Sequence, residues 1–111
     1  MLDTSKEYII CAANWYNDGK KHEAQPDNIT IGFVTLGMYH NWCIGNFYLI
    51  RQEILNKEYY ELEDKCTEGF LTSKRRFVER EEAGQLALAC GQIKKMSYFG
   101  GKKLDSSDLY H

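Results

Sequence analysis

Residues 7–16, Glu-Tyr-Ile-Ile-Cys-Ala-Ala-Asn-Trp-Tyr, carry β-branched and aromatic side chains with no helical spacing, and they stop at Asn17-Asp18-Gly19, a strong turn signal. They predict a strand entering a hairpin. After the only proline, Pro26, the run 29–37 has apolar residues at Ile29, Ile31, Phe33 and Val34 and predicts a second strand. Gly32 and Gly37 within it mark a bulge or a close backbone approach. From Asn41 the period changes: Cys43, Phe47, Ile50 and Ile54 recur at intervals of four, three and four, the stripe of an amphipathic helix that frays near Asn56. Gly45 weakens that helix by about 1 kcal/mol relative to Ala. Residues 57–68 are charged and aromatic, with room for a short strand at 59–62. Residues 79–92 predict a second helix with Ala83, Leu86, Ala87 and Cys90 on one face, acidic residues in its first turn and Gly91 as its C-terminal cap. The tail has a flexible stretch at Phe99-Gly100-Gly101-Lys102. The pattern predicts an α+β fold, a small antiparallel sheet with two helices, in a single compact domain spanning residues 1–111.

Composition narrows the function classes. The 111 residues contain 14 Lys and Arg against 16 Asp and Glu, a formal charge of −2, which lacks the positive field of a non-specific DNA binder. No apolar run reaches the roughly 18–20 residues that span a bilayer, and the N-terminus reads as no secretory signal. A cytoplasmic protein with no membrane partner is expected. Cys11, Cys43, Cys66 and Cys90 show no metal-ligand spacing, so no metal site is expected, and all four read as reduced thiols, mostly in the core. Aromatic residues are abundant, with 2 Trp, 8 Tyr and 5 Phe, which serves a core, an oligomer interface and the stacking of flat ligands alike.

Two clusters could carry chemistry. Thr72-Ser73-Lys74-Arg75-Arg76-Phe77 brings three cations and two hydroxyls just ahead of a helix, the chemistry that phosphate oxygens require. Glu79, Glu81 and Glu82 would repel an anion lying on the helix end, and a solvated basic loop is the alternative. Gly37-Met38-Tyr39-His40-Asn41-Trp42 mixes aromatics with His and Asn and could sandwich a purine. The alternative is that Asn41 caps the helix while Tyr39 and Trp42 pack. Asn14-Trp15 poses the same choice. No hydrolase, metalloprotease, phosphate-loop or dinucleotide fingerprint is present, so no catalytic residue and no cofactor is expected.

Several segments occur in an order that resembles the phage Thoeris anti-defence sponges. They are Ile9 to Trp15, Ile31-Gly32-Phe33-Val34, Gly37 to Cys43, Gly69-Phe70-Leu71-Thr72-Ser73, Arg76-Phe77-Val78 followed by Arg80, Glu82-Ala83, Gly91-Gln92 and Ser106-Ser107-Asp108-Leu109-Tyr110. The resemblance covers most of the chain. It implies a protein that binds, without cleaving, a cyclic ADP-ribose-type nucleotide signal made by a host TIR-domain enzyme. It also implies cyclic oligonucleotides at a second site and a homodimer or higher homo-oligomer in the cytoplasm of the infected bacterium. Carried over, Arg76 becomes the leading pyrophosphate ligand, with Arg80 and Thr72 beside it; Phe77 stacks on adenine; His40 and Asn41 contact ribose or base edge; Gln92 is a polar contact. On that assignment Arg76→Ala weakens binding and leaves the fold intact. The chain departs from the pattern in two places: Met38-Tyr39 stand where a basic residue is expected beside His40, and Glu79 stands where Asp would cap the helix. The rival readings are an enzyme hydrolysing an ADP-ribose derivative and a phage interaction protein with no small ligand.

Overall fold

The computed structural model describes residues 2–54 and 66–110. Four strands, β1 (Ile9–Tyr16), β2 (Phe33–Gly37), β3 (Thr67–Thr72) and β4 (Phe77–Glu79), form one sheet in the order β2-β1-β3-β4. Every neighbouring pair is antiparallel. Helices α1 (His40–Ile54), α2 (Arg80–Ala89) and the short α3 (Ser106–Leu109) complete the expected α+β domain, with a 3₁₀ turn at Phe99–Gly101. The expected strand at 59–62 and the side chains of Ile50 and Ile54 lie outside the described residues.

Residues opposite one another across a ladder share a face, so Ala12, Phe70 and Val78 present one apolar surface. Cys43 of α1, Ala83 and Ala87 of α2, and Ile9, Ile93 and Leu104 close over it as the main core. The small residues on α2 let the helix lie close to the sheet. A second cluster stacks Phe47 of α1 on Tyr16, with centroids 4.2 Å apart, and Tyr16 on Phe33 at 5.4 Å. All four cysteines are free thiols; Cys43 and Cys90 are buried, and Cys11 and Cys66 are half-buried. Among the described residues no helix is long and apolar enough to cross a membrane.

The strand connections differ from the sequence reading. β1 and β2 are antiparallel neighbours, yet residues 17–32 join them as a strap instead of a tight hairpin. Gln25 Oε1 accepts from Val34 N of β2 at 2.8 Å, and the Asn28 amide brackets Phe77 of β4, donating to its carbonyl at 2.6 Å and accepting from its N–H at 2.7 Å. The strap therefore runs from one sheet edge to the other. It also occupies edge groups that would otherwise invite another strand. The second strand begins at Phe33, four residues later than expected, because Gly32 turns the chain at φ +84°, where a Cβ would meet Tyr16 O at 2.4 Å.

The tight hairpin lies instead in the basic cluster read as a loop. Thr72 N–H donates to Arg76 O at 2.9 Å, Arg75 takes φ +59°, and β3 and β4 flank the turn. α1 begins one residue early, so Tyr39 O accepts from Trp42 N and Cys43 N, while Asn41 lies exposed within the first turn and is not the cap. α2 stops at Ala89, short of the expected 92, in a Schellman motif: Gly91 N–H reaches Leu88 O and Gln92 N–H reaches Ala87 O, with Gly91 at φ +79°. The Phe99–Lys102 stretch, expected to be flexible, makes the 3₁₀ turn and lays the Phe99 ring 5.0 Å from the Arg80 guanidinium.

Candidate functional site

The residues carried over by resemblance separate into two groups once their contacts are known. Arg76 is committed to carboxylates. Its Nε and Nη2 bind the two oxygens of Glu7 at 2.9 and 2.7 Å, and Nη2 also reaches Glu82 at 3.0 Å. Thr72, fully buried, donates its hydroxyl to the same Glu7 carboxylate at 2.5 Å. Hydrogen bonding from Arg76, ahead of that from Thr72, holds Glu7 well below the usual carboxylate range, at about 2. The pair ties the chain ahead of β1 to the β3–β4 hairpin. Arg76 is therefore an internal ion-pair partner, where the sequence placed an open phosphate ligand.

Gln92 is also internal. Its side-chain amide accepts from Ile9 N at 2.8 Å and donates to Ile9 O at 2.6 Å, at the point where the β1–β3 register shifts between Ile9 and Cys11. The amide stands in for a missing strand neighbour. His40 is buried, with one ring nitrogen 2.8 Å from Gly69 O and the other 3.3 Å from Arg80 Nη2. A carbonyl only accepts and a guanidinium only donates, so the arrangement selects the neutral Nε2–H tautomer. Burial, then the Arg80 charge, pushes the His40 pKa down.

Phe77 and Arg80 meet at an open cleft of about 940 Å³ at the end of the sheet. One wall is the strap from Asn28 to Ile31, the other is the start of α2, and Trp15, Thr67 and Phe77 lie between them. Trp15 is fixed, because its indole N–H donates to Ile31 O at 2.9 Å and its ring lies 6.5 Å from that of Phe77. Arg80 donates to Leu104 O at 2.8 Å and to Glu68 at 3.3 Å, and Asp105 lies 3.7 Å away; its side chain is 14% exposed. Lys103 also lines the cleft. Opposing these cations are Glu68, Glu79, Glu81 and Glu82. Glu79 occupies the N-cap position of α2 without making a side-chain cap, which accords with its length.

The cleft thus unites two of the carried-over residues with Trp15, which the sequence had singled out as ambiguous. Asn17, Asn28 and Lys103 were not foreseen. Asn28 carried only the turn signal of Pro26-Asp27-Asn28, and Lys103, the second of the pair Lys102-Lys103 after two glycines, carries no signal of a site. His40 and Asn41 are absent from the cleft lining; His40 reaches it through Arg80.

The family model described as "Phage T4 y16D protein" matches residues 8–110. No curated protein matches the chain, and no solved structure does.

Proposed function

We propose the following for this chain, which belongs to the phage T4 y16D protein family: it is a sponge that binds a cyclic ADP-ribose-type nucleotide made by a host TIR-domain enzyme and holds it uncleaved, away from its effector. The observation that carries this reading is the cleft, where the pinned Trp15 ring offers a flat wall beside two cations, Arg80 and Lys103. A base stacked on an aromatic ring contributes about 1–3 kcal/mol, and each charge-assisted hydrogen bond adds about 1.5–3 kcal/mol. Nanomolar capture needs about 12 kcal/mol, within reach of several such contacts. Glu79, Glu81 and Glu82 repel phosphate from the backbone N–H groups that open α2. The pyrophosphate therefore belongs at Arg80 and Lys103, and the carboxylates face the ribose hydroxyls, which can donate to them.

The test is to incubate the purified protein with TIR-generated cyclic ADP-ribose isomers and follow the filtrate by mass spectrometry before and after heat denaturation. The reading expects one isomer to vanish and return intact on heating. Irreversible loss with a hydrolysed product makes the protein an enzyme, and persistence in the filtrate favours a protein partner with no small ligand. Trp15→Ala is expected to weaken capture tenfold or more, from the lost stacking. The same filtrate assay with a cyclic trinucleotide tests the second ligand class.

Exposed apolar side chains support a homo-oligomer as part of the same proposal. Ile10, Met38 and Trp42 are 49%, 42% and 53% exposed. Tyr39 links this surface internally, its ring 5.8 Å from Trp42 and 5.4 Å from Tyr110, whose hydroxyl approaches Ile10 O at 3.5 Å. Surfaces of this kind are what subunit contacts cover. Light scattering should give a multiple of 12.9 kDa, reduced to the single-chain mass by Trp42→Glu; a single-chain mass for the unmodified protein rejects the oligomer.

A further inference from the structure

His40 has a place in the structure that its sequence context did not suggest. It sits at the first residue of α1, yet its ring joins β3 to α2, because Nε2 faces Gly69 O at 2.8 Å and Nδ1 faces Arg80 Nη2 at 3.3 Å. The Phe70 ring packs edge-on against it at 5.0 Å, which fixes the plane of the imidazole. The charged groups facing it are Arg80 from α2, Glu68 from β3 and Asp105 from the start of α3. Arg80 is the one of these that lines the cleft and also contacts the ring directly.

We propose that His40 is the positioning residue of Arg80: the neutral imidazole holds the guanidinium at the rim of the cleft, and protonation of the ring releases it. This rests on the proposed capture of an anionic nucleotide at that cleft. With Nδ1 unprotonated, the ring offers Arg80 an acceptor that is not itself an anion. One N–H is thereby fixed by a neutral acceptor, which balances the pull of Glu68 and Asp105 on the same guanidinium. Protonation converts Nδ1 into a donor and sets two cations 3.3 Å apart in a site sheltered from solvent. Arg80 then loses its neutral acceptor, and only Glu68 and Asp105, at 3.3 and 3.7 Å, hold it, so it is drawn away from the rim. Capture of an anion weakens as the pH falls.

His40→Gln separates positioning from titration, because a glutamine amide can donate to Gly69 O and accept from Arg80 at any pH. His40→Leu removes both functions. The first readout is NMR of the free full-length protein from pH 8 down through the protonation of His40, following the His40 ring nitrogens and the Arg80 guanidinium. The expected result is an Nε2–H tautomer at pH 8 and Arg80 signals that shift together with His40 protonation in the wild type and stay constant in His40→Gln. An Nδ1–H tautomer, or Arg80 signals that ignore the state of His40, overturns the proposal. The second readout is binding of cyclic ADP-ribose, expected in the wild type to fall with the same pH midpoint as His40 protonation, which burial and Arg80 set below the ordinary imidazole range. It should be flat with pH in His40→Gln and weak throughout in His40→Leu. Flat binding in the wild type, or binding by His40→Gln that titrates as the wild type does, overturns the role in capture. If Arg80 responds to His40 while the nucleotide binds under no condition, the sponge reading fails and the positioning of Arg80 stands.

Discussion

Arg76→Ala is expected to lower the free energy of unfolding by about 2 kcal/mol or more, because it strands a carboxylate in the interior. The Glu7 side chain is only 9% exposed, and Arg76 donates two charged hydrogen bonds to it. Removing one partner of a fully buried pair costs about 3–5 kcal/mol; the 36% exposure of Arg76 brings the expectation below that range. The pH dependence identifies the mechanism. Glu7 titrates near 2 in the folded chain against 4.5 for a free glutamate, so its contribution is fully present above about pH 4.5 and is lost as the pH falls toward 2. Urea unfolding across that window should show a steep acid loss in the wild type and a shallower one in Arg76→Ala. Nucleotide capture per folded molecule should not change. A variant as stable as the wild type that captures less would return Arg76 to the ligand.

Gly69→Ala is expected to cost about 3 kcal/mol or more. A Cβ at Gly69 would lie 2.2 Å from Val78 O and 2.7 Å from Cζ of Phe77. The carbonyl belongs to the β4 backbone, which is paired with β3 at Phe70–Val78 and Gly69–Glu79, so relief requires separating the two strands. Separation would also displace Phe77 from the cleft and Gly69 O from His40. Thermal unfolding should show a drop of about 4 °C or more for each kcal/mol lost. A variant with wild-type melting and an unperturbed His40 ring would mean that β4 can shift at little cost.

The segments that carry the family resemblance have, in large part, structural roles. Gly69 admits β4; Arg76 neutralises Glu7 and Thr72 donates a hydrogen bond to it; Ala83 lets α2 approach the sheet; Gly91 and Gln92 end α2 and clasp β1. In the terminal segment, the Asp105 side chain accepts from Ser107 N at 2.9 Å and the Asp108 side chain accepts from Asp105 N at 3.1 Å, so the two cap α3 reciprocally. Asp108 also accepts from Ser97 N at 3.0 Å. Such residues identify a shared fold. The cleft, in contrast, draws Trp15 from β1, Phe77 from β4, Arg80 from α2 and Lys103 from the tail, and no single segment announces it.

Local pattern was enough to read what local physics governs. The aromatic and β-branched run at 9–16 is a strand, the four-three-four spacing from Cys43 is a helix, and Gly91 ends α2 by the left-handed backbone that glycine permits. The α+β class follows from those elements. β3 and β4 escaped notice because six and three residues, interrupted by a basic turn, are too short to show a period, and their strand character comes from pairing with β1 and with each other. The site escaped for a related reason. Residue type states what a side chain can bond to and is silent on what lies beside it: a basic cluster reads as a phosphate site until Glu7, 69 positions away, is found holding Arg76. His40 reads as a ligand contact until Gly69 and Arg80 are found on its two nitrogens. Contacts between distant positions are set by the packing of the whole chain, and that packing decided that Arg80 lines the cleft while Arg76 is held by Glu7 away from it.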